Sequence, residues 1–276
     1  MDHYQFIFEV SNQESSDVLI AELDSIGFEG FEEVGDTLKA FISTEKFESS
    51  EFDVLIELNS VKYTKSIVKE TNWNAEWESG FEPVVILDAV TGKPVICVRA
   101  SFHNAIEAVL YDLVVTPKMS FGTGHHATTY LMMQQMLLLN FKNKRVIDYG
   151  TGTGVLAILA SKMGAGDITG IDNDDWSINN AKENIESNNC GEIKILQLST
   201  IEEGLKAEII LANINLNIII ANLPSIRLAC LPGTIILFSG IMVKDKQQIT
   251  DALESGNFSI NECVEKDNWL LLNVSA

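Results

Sequence analysis

The sequence predicts an α/β protein in two parts, a small sandwich domain followed by a larger open domain built on a mostly parallel sheet. Three observations carry this prediction. Residues 1–70 read as short elements in the order β-α-β-β-α-β. From Val146 onward strand and helix patterns alternate, and repeated strand–helix units mean a parallel sheet with helices on both faces. A glycine-rich turn, Gly150-Thr-Gly-Thr-Gly154, joins the first of those strands to its helix.

Taken in order, Tyr4, Phe6, Phe8 and Val10 alternate with Gln5, Ile7 and Glu9, the period of a strand with one buried face. Ser15 or Ser16 is placed to cap a helix carrying Leu19, Leu23 and Ile26 on one side, and Gly27 suits its exit. Phe28–Val34 and Leu38–Ser43 read as a hairpin around Gly35-Asp36. A second helix covers about Ser50–Leu58, and Val61–Val68 returns as a strand. That order is a ferredoxin-like sandwich. It holds no catalytic cluster, so residues 1–70 read as a recognition domain.

Residues 71–84 form a linker, a polar stretch carrying Trp73 and Trp77 and ending at Phe81-Glu-Pro83. Its tryptophans either dock between the domains or complete one core. Residues 85–276 make the larger domain. Val84–Leu87 and Val95–Arg99 read as strands around Thr91-Gly92, and Thr128–Leu139 as an apolar helix with Thr128 or Thr129 as its N-cap. The alternation then runs strand Val146–Tyr149, helix Gly154–Met163, strand Asp167–Ile171 and helix Trp176–Asn188.

Composition narrows the class of function. The chain is 46% hydrophobic and 21% charged, ordinary for a folded globular protein. Apolar runs such as Ile235–Phe238 are too short to span a bilayer, and Met1-Asp-His-Tyr-Gln lacks the basic-then-apolar pattern of a leader. Cys97, Cys190, Cys230 and Cys263 are scattered without CxxC pairing, which favours free thiols. These features point to the cytoplasm, with a monomer as the default. A net charge of −20 repels phosphate backbones and disfavours direct nucleic-acid binding. It suits a basic partner, although acidity also serves solubility.

Glycines after a buried strand permit a tight turn and close approach of a ligand to the backbone, and the following helix N-terminus offers unpaired N–H groups. Asp172 closes the next strand, about twenty residues on, where a carboxylate accepts hydrogen bonds from a ribose. A dinucleotide dehydrogenase is the competing reading, but its third glycine would fall at Val155. The pattern is instead G-x-G-x-G, the arrangement usual in methyltransferases. Asp148, two positions before the first glycine, suits a cationic amino-acid group and would be awkward beside a pyrophosphate. Ile209-Ile-Leu-Ala-Asn213 ends the expected fourth strand, where amino-methyltransferases carry Asn or Asp; the residue that follows is often proline and here is Ile214. Met119-Ser-Phe-Gly-Thr-Gly-His-His-Ala-Thr-Thr129 lies just upstream. It is not a P-loop, and its adjacent histidines lack the spacing of a metal-ligand pair.

Together, Phe121–Thr129, Val146–Gly154, Asp172 and Leu211–Ile214 closely resemble the ribosomal protein L-eleven methyltransferase family (PrmA), over nearly the whole chain. The resemblance implies a ferredoxin-like domain that grips the ribosomal protein, a linker and a Rossmann-like class I methyltransferase domain. It implies S-adenosyl-L-methionine as cofactor, bound through Thr129, Gly150, Gly152, Asp172 and Asn213, with Asn213 also catalytic. The substrate implied is a large-subunit ribosomal protein, modified on lysine side chains and its N-terminal amine. The chain departs from the family pattern at Lys118, His125 and Ala127, where glycine, threonine and proline are usual. A small-molecule amine methyltransferase on the same cofactor domain is the alternative enzyme, and an inactive binding module the non-enzymatic one.

Overall fold

In the computed structural model the described residues are 3–10, 12–35, 37–59, 61–68, 81–88, 91–106, 109–116 and 122–276. Asp36, Trp73, Trp77, Lys118 and Phe121 lie outside them. The chain divides into two compact units, Met1–Glu76 and Trp77–Ala276.

The first unit contains β1 (His3–Glu9), α1 (Gln13–Ser25), β2 (Phe31–Val34), β3 (Thr37–Ser43), α2 (Ser49–Asn59) and β4 (Tyr63–Val68). The sheet order β2-β3-β1-β4, antiparallel throughout, is the expected ferredoxin-like sandwich. The alternation of β1 does what its period predicted: Phe6 and Phe8 are buried and stacked on each other, and pack edge-on and tilted against Phe28 and Phe52 in an aromatic core. The cap of α1 differs from the expectation. Asn12 is the N-cap, its Oδ1 accepting from the Ser15 N–H at 2.9 Å while the Asn12 N–H donates to Ser15 Oγ. Ser15 is therefore the reciprocal partner of a capping box rather than the cap. Gly27 (φ 89°) ends the helix as expected, with Gly27 N–H donating to Asp24 and Phe28 N–H to Leu23, the paired bonds of a glycine-terminated helix.

The second unit opens with β5 (Val84–Leu87), β6 (Pro94–Arg99) and β7 (Tyr111–Val114), a three-stranded sheet in that order; the last of these strands had no sequence signal. There follow α3 (Ala127–Met136), β8 (Arg145–Tyr149), α4 (Val155–Lys162), β9 (Asp167–Asp172), α5 (Asp175–Ser187), β10 (Lys194–Gln197), β11 (Ala207–Asn213), α6 (Leu216–Ala229), β12 (Cys230–Met242), α7 (Lys246–Ser255), β13 (Ser259–Lys266) and β14 (Trp269–Ser275). The main sheet runs β10-β9-β8-β11-β12-β14-β13, with every strand in one direction except β14, which is antiparallel to both its neighbours. β8 and β11 are nearly continuous apolar runs because helices cover both faces of a parallel sheet. One buried layer collects Leu156, Ile158 and Leu159 of α4, the other Ile219, Leu223 and Ile226 of α6. Chain order reverses between β8 and β11, and in open α/β sheets the crevice at such a switch point, outside the carboxyl ends of the strands, is where ligands bind. Among the described residues no helix is long and apolar enough to cross a membrane.

A ladder of asparagines on α5 ties this region together. Asn188 accepts from the Val114 N–H (2.9 Å) and donates to the Val114 carbonyl, while Asn184 accepts from the Thr116 N–H (2.8 Å) and donates to Asn180 and to the Thr153 carbonyl in the glycine turn. Asn184 is fully buried, so its removal strands two backbone groups and the Asn180 side-chain oxygen, each costing roughly 1–3 kcal/mol unpaired. Asn184→Ala is expected to lower the unfolding free energy by about 3–5 kcal/mol in a urea titration. A loss under about 1 kcal/mol would show the ladder to be incidental.

Candidate active site

The carboxyl ends of β8, β9 and β11 open into a cavity of about 370 Å³. Gly150, Gly152 and Tyr149 form one wall, Asp172, Asn173 and Ser177 a second, Leu198 and Ser199 a third. Asn213, Ile214, Gly240, His126, Thr128 and Trp269 close the remaining side.

The glycine turn is held from several directions. Gly150 and Thr151 N–H both donate to the Ile171 carbonyl (2.8 and 2.9 Å), and the Gly152 N–H donates to Asp172 Oδ2 at 2.9 Å. Gly150 has φ 77°, and a Cβ there would lie 2.1 Å from Ile214 Cγ2; no other residue fits. Asp172 also accepts from the Asp174 N–H at 3.2 Å, so its carboxylate both braces the turn and faces the cavity. Thr153 Oγ1 donates to the Gly122 carbonyl at 2.8 Å, which fastens the segment before α3 to the same turn.

Four of the five expected cofactor residues, Gly150, Gly152, Asp172 and Asn213, meet in this cavity; Thr129 does not line it. Thr129 is fully buried, and Asn213 Nδ2 donates to its Oγ1 at 3.3 Å. Thr128, one position earlier, lines the cavity instead. The helix cap explains the shift. Neither threonine caps α3; His126 does, accepting from the Thr128 N–H on Nδ1 at 3.3 Å, and consecutive helical residues point about 100° apart. Nδ1 also lies 2.8 Å from Thr128 Oγ1. The ring meets Trp269 edge-on with centroids 4.8 Å apart. His125, a departure from the family pattern, packs against the buried Phe81 at 4.7 Å.

Asp148 is a second correction. Expected to face a cationic ligand group, it is buried beneath the turn and absent from the cavity wall. Its Oδ2 accepts from Thr151 Oγ1 (2.7 Å) and the Ala157 N–H (3.2 Å), and Oδ1 has no protein partner. Burial, outweighing the two hydrogen bonds and aided by the nearby Asp172 charge, pushes its pKa from 3.8 to about 7. With the folded value raised, the folded state binds the extra proton between about pH 4 and 7, so this group's contribution to stability falls as pH rises through that window. Asp148→Asn keeps an acceptor for both bonds and carries no charge. Its melting temperature without cofactor is expected to match the parent near pH 4.5 and to exceed it above pH 7, by the equivalent of a few kcal/mol. A difference that does not vary with pH would contradict this.

Asn213 ends β11 and lines the cavity, and its side-chain Oδ1 is buried without a protein partner among the described residues. An unmet acceptor of this kind costs roughly 1–3 kcal/mol, which a donor on a ligand removes. Gly240, Ser199 and Trp269 carry no local motif; Gly240 and Trp269 reach the site through the pairing of β12 with β11 and β14.

The sequence is matched by the family model described as ribosomal protein L11 methyltransferase (PrmA), over residues 9–276. The chain belongs to that family. Members similar to it include the ribosomal protein L11 methyltransferases of Phocaeicola vulgatus, 36% identical across 94% of this chain and 92% of that protein, and of Porphyromonas gingivalis, 36% identical across 96% and 92%. The crystal structure of a ribosomal protein L11 methylase from Lactobacillus delbrueckii subsp. bulgaricus superposes with a TM-score of 0.60 at 28% identity, over 65% of this chain and 94% of that one. The Rossmann-like methyltransferase fold expected from the alternating strands and helices is therefore the fold of this family's catalytic part.

Proposed function

We propose that this chain is an S-adenosylmethionine-dependent methyltransferase that modifies lysine side chains and the N-terminal amine of the large-subunit ribosomal protein L11. Family membership supports the reaction class. The observation that carries the site is the bare, buried Oδ1 of Asn213, set in one cavity with the glycine turn and Asp172.

The residues present fit the cofactor. The turn at Gly150 and Gly152 has backbone but no side chain where a nucleoside must approach, Asp172 faces the cavity to accept from a ribose, and Leu198 and Ser199 complete an apolar and polar wall for a base. When bound, S-adenosylmethionine supplies a methyl group already activated by its sulfonium.

What remains for the protein is placement. A lysine must be neutral to act as nucleophile, which costs about 4 kcal/mol near neutral pH; alignment is worth roughly 7–11 kcal/mol. Asn213 Oδ1 accepts an N–H of the incoming amine and turns its lone pair toward the methyl group, while Thr129 holds the other end of the amide. His126 and Trp269 wall the amine's side of the cavity, and the segment ending in Thr129 shields it from water. His126 Nδ1 is committed to the helix cap, so that nitrogen takes no part as a base. In this reading residues 1–70 grip the ribosomal protein, residues 71–84 link, and residues 85–276 carry the reaction, in the cytoplasm and as a monomer. The acidic chain, net −20, attracts a basic protein and does not contact nucleic acid.

The test is transfer of labelled methyl groups from S-adenosylmethionine by the full chain, offered purified ribosomal protein L11 or free lysine and small amines. Label is expected in the protein alone. Comparable turnover of the small amines would favour the small-molecule reading instead.

A further inference from the structure

Gly240 lies far from every motif in the sequence, yet it lines the cavity beside Ile214 and Asn213. It sits where β12 departs from regular pairing: Ser239 pairs with Leu271 and Ile241 with Leu270, leaving Gly240 as the extra residue of a bulge. The buried Ser239 hydroxyl donates to the Leu270 carbonyl at 2.8 Å, restoring a bond at the break in the ladder. Gly240 has φ 85°, and a Cβ there would lie 2.2 Å from the Ile214 carbonyl oxygen, 2.8 Å from its carbon and 3.1 Å from its nitrogen. These are backbone atoms, so no side-chain rotation relieves the clash.

On the other side, the Ile214 side chain presses on Gly150, whose own missing Cβ would meet Cγ2 at 2.1 Å. Gly150, just after β8, and Gly240, on β12, thus grip Ile214 from both sides. Asn215 fixes the far end of the turn, its Oδ1 accepting from the Ile218 N–H at 3.1 Å as the cap of α6. Asn213 is the first residue of this clamped turn, and bulges next to active sites commonly re-aim a side chain.

We propose that Gly240 is a positioning residue for methyl transfer: by leaving room for the Ile214 peptide, it sets the aim of the Asn213 side chain. This rests on the reading of Asn213 as the residue that orients the amine. A displacement of about 1 Å at such a centre can cost ~10²-fold in rate, so Gly240→Ala lowers kcat by about that factor. The KM for the ribosomal protein and the affinity for S-adenosylhomocysteine stay within about threefold, because the loss falls on the transition state.

The experiment compares kcat, KM, S-adenosylhomocysteine calorimetry and thermal melts for Gly240→Ala, Gly233→Ala and Asn213→Ala, with full-length enzyme and ribosomal protein L11. Gly233 is the control for backbone strain, since it shares a positive φ (80°) on β12 but has open space where a Cβ would go. The expected result is a kcat loss for Gly240→Ala that Gly233→Ala does not share. Gly240→Ala turning over at the parent rate, or Gly233→Ala losing as much, overturns the proposal while an impaired Asn213→Ala leaves the amine-site reading standing. An unimpaired Asn213→Ala overturns both. Should Gly240→Ala fail to fold, Ile214→Ala unseats the same turn from the Gly150 side. A kcat reduced about tenfold at saturating cofactor supports the proposal, and an unchanged kcat overturns it.

Discussion

Replacing Asn213 by alanine is expected to lower kcat by about 10²–10³-fold, the usual cost of removing one preorganised hydrogen-bonding group at a reacting centre. Cofactor affinity should change far less. The reason is local: Asn213 lines the cavity, its Oδ1 is a buried acceptor without a partner among the described residues, and its Nδ2 is already engaged by Thr129. Alanine removes the acceptor and leaves the glycine turn and Asp172 in place. Single-turnover measurements at saturating cofactor would show the effect in the chemical step. Parent-like turnover would mean that the amine is oriented elsewhere.

Asp172→Ala should do the reverse. Its carboxylate accepts from Gly152 and Asp174 and faces the cavity. Substitution removes the ribose acceptor and a brace of the turn at once. Hydrogen bonds to a charged group are worth roughly 1.5–3 kcal/mol each, so the Kd for S-adenosylmethionine is expected to rise by ~10²-fold or more in calorimetry. Turnover at saturating cofactor should fall much less. Equal affinity in parent and variant would remove Asp172 from the binding site.

The two substitutions also mark what the sequence made legible. Gly150, Gly152 and Asp172 could be read directly because a tight turn after a buried strand and a carboxylate ending the next strand are local patterns. Asn213 followed from counting strands. The ferredoxin-like order of the first unit followed from period-two alternation and two amphipathic helices. Orientation was harder. Thr128 and Thr129 differ by one position, and which of them faces the cavity depends on the phase of α3, set by a histidine cap that composition does not advertise. The position of Asp148 two residues before the turn suggests a ligand contact, whereas Thr151 and the Ala157 N–H draw it beneath the turn. Trp269 and Gly240 were out of reach altogether. The antiparallel return of β14 brings one to the rim, and a bulge in β12 places the other; neither leaves a mark within a sequence window.

On the proposed function, this cavity delivers methyl groups to amines of a ribosomal protein. Peptide mapping by mass spectrometry, after incubating the full chain with S-adenosylmethionine and unmodified ribosomal protein L11, tests it most directly. The predicted result is one or more added methyl groups confined to lysine side chains and the N-terminal amine, absent when Asn213→Ala replaces the parent enzyme. An unmodified ribosomal protein, or methyl groups on carboxylate, thiol or hydroxyl side chains, would contradict it.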